Sequence, residues 1–77
     1  MEKHYDKYRI LGLNVAYYRK MKGFTQQQLA EKIFISKNHL SRIEAPKAVK
    51  SFSIDVIFEI SAALEVDVAK LFVNRDA

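Results

Sequence analysis

The chain has 77 residues, a formal net charge of +4 and no cysteine, which excludes disulfide staples and thiolate metal sites and leaves room for one domain with a modest core. No apolar run approaches the roughly 18 residues of a membrane span, and the charged start from Met1 to Lys7 lacks the apolar stretch of a secretory signal, so the chain reads as soluble and cytoplasmic. Charge is divided along the chain: Arg19 to Lys50 holds eight Lys or Arg against Glu31 and Glu44, a net of +6, whereas Ser51 onward is −3, a division that suits a polyanion-facing side.

Two glycines and one proline interrupt the chain, and strand-like alternation is missing, so the apolar spacing predicts helices throughout. A first helix is expected over 7–22, with Leu11, Val15 and Tyr18 on one stripe. Gly23 stands where a helix-ending glycine belongs, and Lys20 and Lys22 complement the negative end of the helix dipole. Thr25 then caps a second helix over 25–33. Gln28 completes a capping box, and Leu29 is placed to staple back onto Phe24. The same grammar returns at Ser36, where Ile35 and Leu40 form the staple of a third helix over 36–45, which Ala45 and Pro46 end. Ser53 with Phe52 and Ile57 opens a fourth helix over 53–64, and Asp67 with Val66 and Leu71 a short fifth over 67–73.

Only Phe34 and Ile35 separate the last stripe residue of helix two, Ile33, from the cap of helix three. Helices joined that tightly must cross steeply, which is the helix-turn-helix unit. Leu29, Ala30 and Ile33 are then expected to face Leu40 and Ile43, leaving Lys37, Asn38, Ser41 and Arg42 as a polar, basic outer side.

The runs YRKMKGFTQQQLAEKI, SKNHLSRIE and IFEISAALEV, with LF closing the last helix, resemble the lambda-repressor-like, Cro/C1-type (XRE) helix-turn-helix family of bacterial and phage regulators, over Leu11 to Phe72. The resemblance implies an all-α, compact five-helix DNA-binding domain. It implies a structural ion pair between Arg19 and Glu44, and DNA-facing positions at Gln26, Ser36, Lys37, Asn38, Ser41 and Arg42. Gln26 and helix-start N–H groups suit a phosphate. Asn38 suits adenine and Arg42 guanine, and Lys37 reaches guanine or phosphate. Lys47 and Lys50 match a loop that contacts the DNA backbone. His39 lies beside this face, as a phosphate contact or as packing at the helix start.

The chain departs from the family at two places. Phe34 replaces the usual turn glycine, so strain or a changed turn is expected, with the ring repacked in compensation. Ala45 and Pro46 replace the usual residues after the recognition helix.

His4 and His39 lack acidic or cysteine companions at ligand spacing, so no metal or other cofactor is expected, and no constellation suggests catalysis. Tyr5, Tyr8, Tyr17 and Tyr18 lie on or before helix one, away from the basic face, and are assigned to packing. Helix four reads as apolar nearly all round: Ile54, Ile57, Phe58, Ser61 and Leu64 on one stripe, Val56, Ile60 and Ala63 on another. The surplus predicts a homodimer through Phe52, Val56, Phe58, Ile60, Phe72 and Val73. The expected function is a transcriptional regulator, a repressor or autoregulatory controller, bound as a dimer in the major groove of an inverted-repeat operator, with no membrane or small-molecule partner. A protein-interaction or antitoxin-like module on the same fold is the alternative.

Overall fold

The computed structural model describes residues 4–45 and 53–75. Helix α1 spans Tyr5–Met21, α2 Gln26–Lys32, α3 Lys37–Glu44 and α4 Ile54–Leu64, and a 3-10 helix over Val68–Phe72 closes the chain. The expected fifth α-helix is therefore a 3-10 helix. Its five residues are too few for a stable α-helical run, and tighter i→i+3 bonding suits so short a piece.

From α2 onward the helix starts follow the predicted caps, whereas α1 begins at Tyr5, two residues before the expected start, with no side-chain cap at His4. Thr25 and Gln28 form the reciprocal capping box, with Gln28 N–H donating to Thr25 Oγ1 at 3.0 Å and Thr25 N–H donating to Gln28 Oε1 at 2.9 Å. Ser36, Ser53 and Asp67 accept from the N–H groups of His39, Val56 and Ala69 respectively. Each bond satisfies a helix N–H that has no partner within its own helix.

The ends are also alike. At Gly23, Phe34 and Glu65 the backbone turns left-handed, with φ of 83°, 62° and 57°. At each, that residue and the next close a Schellman motif: Phe24 N–H bonds Arg19 O at 3.0 Å, Ile35 N–H bonds Ala30 O at 3.0 Å, and Val66 N–H bonds Ser61 O at 3.1 Å. Phe24, Ile35 and Val66 then lie against the core, and the next residue is already a cap. The chain thus uses one three-residue joint three times, Gly23-Phe24-Thr25, Phe34-Ile35-Ser36 and Glu65-Val66-Asp67. In each joint the middle side chain closes one helix and staples the next.

Leu11 and Val15 of α1, Leu29 and Ala30 of α2 with Ile33 at its end, Leu40 and Ile43 of α3, Ile57, Ile60 and Leu64 of α4, and Leu71 form one buried cluster. Leu29, Ala30 and Ile33 share this core with Leu40 and Ile43, as the spacing predicted, and α2 packs on α3. Helix α4 carries apolar residues on both faces, as expected: Ile57, Ile60, Ser61 and Leu64 turn inward, while Ile54 and Phe58 turn outward. No helix among the described residues is long and apolar enough to cross a membrane.

Candidate nucleic-acid interface

Helix α3 is held by its inner face. Leu40 and Ile43 are fully buried, and Glu44 is buried at the last turn. Arg19 meets Glu44 with two hydrogen bonds, Nε to Oε2 at 2.7 Å and Nη2 to Oε1 at 3.1 Å, and donates through Nη1 to the carbonyl of Phe24 at 2.7 Å. The end of α1, the joint before α2 and the end of α3 are thereby tied together, and a two-point guanidinium–carboxylate pair fixes orientation as well as distance.

Gln26 joins the same group. Its amide Nε2 donates to Glu44 Oε1 at 2.9 Å, so the half-buried residue assigned to a phosphate spends one donor on the ion pair and braces the end of α3. Sequence reading placed Gln26 at the interface but did not foresee this bond, because the two residues are 18 apart in the chain.

With that inner face fixed, Lys37, Asn38, Ser41 and Arg42 are all exposed on the outer side of α3, and none has a side-chain hydrogen bond among the described residues. The face offers two cations, an amide and a hydroxyl, all free for a polar partner. Ser36 spends one lone pair as the cap of α3 and keeps a hydroxyl proton to donate. His39 is half-buried at the first turn, beside rather than on the open face. Lys47, Lys50 and Phe52 lie outside the described residues.

Phe34 departs from expectation. The turn is the left-handed one, but the ring does not repack: it is 93% exposed. In this joint the following residue, Ile35, takes the inward position, so the left-handed residue before it is turned out to solvent.

Among the residues expected at a dimer interface, Phe58, Phe72 and Val73 are about half exposed, and Ile54 joins them. Val56 is half-buried against the core. Ile60 is a correction: it is fully buried within the protomer, on the inward stripe with Ile57 and Leu64, and has no surface to offer a partner.

Asn14 was not singled out from the sequence. It is buried on α1, donates through Nδ2 to the carbonyls of Leu71 and Val73 at 2.8 Å each, and accepts from Arg75 Nε at 2.8 Å. The Arg75 guanidinium in turn lies over the Tyr17 ring, 3.6 Å from its centroid.

A helix-turn-helix family model matches residues 15–71. The chain belongs to the Cro/C1-type helix-turn-helix family. It is 36% identical over 67 residues to the HTH-type transcriptional regulator SinR of Bacillus licheniformis, covering 87% of this chain and 60% of that protein. Across SinR and SlrR proteins of Bacillus, the chain spans between 41% and 60% of the relative's length. Among solved structures, the biofilm master regulator SinR in complex with DNA superposes with a TM-score of 0.73 at 36% identity, over 82% of this chain and 98% of that one. The restriction-modification controller protein C.AhdI from Aeromonas hydrophila, at 22% identity and a TM-score of 0.81 over 92% of this chain and all of that one, shares the fold.

Proposed function

We propose that the domain is a sequence-specific double-stranded DNA-binding regulator of transcription that lays α3 in the major groove. The observation that carries this reading is the outer face of α3, where Lys37, Asn38, Ser41 and Arg42 stand open on a framework shared with a SinR domain solved with DNA. A helix fits the major groove of B-DNA, and the amide of Asn38 and the guanidinium of Arg42 match the paired edges of adenine and guanine. Lys37 reaches guanine or phosphate, while Ser36 and Gln26, at or near the helix starts, serve the sugar-phosphate backbone, as do Lys47 and Lys50 after α3.

The domain acts as a homodimer through outward residues of its C-terminal half, Phe58, Phe72 and Val73, together with Phe52. Two-fold symmetry places two copies of α3 about 34 Å apart, one turn of DNA, on an inverted repeat. Repression, including control of its own gene, follows from occupying such a site. A protein-interaction module is the other reading, and the free cations and amide on α3 favour DNA over it.

Binding to the DNA upstream of its own gene, against a scrambled duplex, tests the proposal. The expected result is a salt-sensitive preference for the upstream duplex, which Arg42→Ala weakens by about 1 to 3 kcal/mol. Equal, weak binding to both duplexes overturns it in favour of the protein-partner reading.

A further inference from the structure

The three joints share a backbone but not the side chain in their left-handed position. Gly23 meets the demand of a positive φ without strain, and Glu65 meets it with a charged, solvated side chain. Phe34 carries two burdens: a bulky residue at φ 62°, and an aromatic ring left 93% in water. No ring contact covers the side chain among the described residues, and the cation over an aromatic ring nearby, Lys32, sits on Phe24 instead.

This joint is also the one that delivers α3. Phe34 lies two residues before the cap Ser36, and two residues span at most about 7 Å. Exposed Lys32 and Lys37 flank it in the chain. An apolar ring between cations, at the mouth of a helix open to DNA, fits a polyanion that also presents apolar groups. In the major groove that group is the C5 methyl of thymine.

We infer that Phe34 is a specificity-determining contact, its ring packed on a thymine methyl at the edge of the site read by α3. The inference rests on α3 lying in the major groove. It explains why an aromatic residue occupies this turn despite its backbone cost: the ring, exposed in the free domain, leaves water in the complex.

The test begins with a duplex selected from a random pool by the unmodified protein. Affinity for that duplex, and for versions with each thymine replaced by deoxyuridine, is measured by fluorescence anisotropy for the unmodified protein and for Phe34→Gly, Phe34→Leu and Arg42→Ala, alongside each variant's Tm. Phe34→Gly is expected to keep or raise the Tm while weakening binding about tenfold, and Phe34→Leu to retain most of the affinity. One deoxyuridine position should weaken the unmodified protein about fourfold, the worth of one buried methyl, and leave Phe34→Gly indifferent. Unchanged affinity in Phe34→Gly, or the same response to deoxyuridine in both proteins, overturns the inference while leaving the DNA reading in place. If no duplex is preferred and Arg42→Ala changes nothing, the DNA reading itself falls and this inference falls with it.

Discussion

The guanidinium of Arg19 grips the carboxylate of Glu44 at two points, with Nε 2.7 Å from Oε2 and Nη2 3.1 Å from Oε1, and so pins the last turn of α3 to the last turn of α1. Gln26 from the first turn of α2 shares the same carboxylate. Three helices therefore agree on the position of one side chain, and the rotation of α3 that points Arg42 outward is set by a contact on its far side.

Breaking this pair from one side should be far worse than removing it. Its side chains are 9% and 6% exposed, so either partner left alone is a nearly buried charge. Arg19→Met or Glu44→Gln is expected to lower the unfolding free energy by about 3 to 5 kcal/mol, and the double variant Arg19→Met/Glu44→Gln by clearly less than the sum. Urea unfolding of the four proteins decides; simple additivity would mean that the two charges do not depend on each other.

Asn14 should hold down the end of the chain. Asn14→Ala removes the donor of the Leu71 and Val73 carbonyls and the acceptor of Arg75, at a cost of about 1 to 3 kcal/mol. Chymotrypsin should then cut after Phe72 faster than in the unmodified protein. An unchanged cleavage rate would show that the packing of Leu71 alone keeps the segment in place.

The left-handed joints make opposite predictions at two of their positions. Glu65→Gly relieves φ 57° and should raise the Tm by about 4 to 8 °C if the full ~1 kcal/mol is recovered. Gly23→Ala should destabilise by about 1 kcal/mol although no atom lies within 4 Å of the added Cβ, because the penalty is in the backbone alone. Matching thermal shifts of the same sign in both variants would contradict the shared joint.

Self-association should depend on outward residues of α4 and not on inward ones. Phe58→Lys is expected to give a monomer in sedimentation at low micromolar concentration while the protomer stays folded. Ile60→Ala is expected to destabilise the protomer by about 2 to 5 kcal/mol through a core cavity. A domain that sediments as a monomer before any substitution would remove the dimer from the proposal.

Helix starts after α1 were legible in the sequence because their signals are local: a cap, its partner N–H two or three residues on, and a staple partner five positions along. The ends were legible at Gly23 and at Ala45, which the following Pro46 turns out of helical geometry. Phe34 was recognised by its departure from glycine, whereas Glu65 passed unnoticed, although its setting between Leu64 and the pair Val66-Asp67 repeats the pattern of the other joints. The outer face of α3 followed from subtracting the inward stripe, which periodicity supplies. On α4 the same subtraction failed, because apolar residues occur on both faces and composition does not distinguish Ile60, which is buried, from Phe58, which is not.

The amino-acid sequence by itself determined the helices, their order and the steep joint between α2 and α3, since caps, periodicity and turn length act within a few residues of one another. Only the tertiary structure decided that Gln26 braces Glu44, that Asn14 reaches residues 57 to 61 positions away, and that the ring of Phe34 faces water. Those are outcomes of how the elements stack. A buried polar atom takes whichever partner the packing brings within hydrogen-bond distance, and a side chain is exposed or covered according to what the rest of the chain leaves beside it.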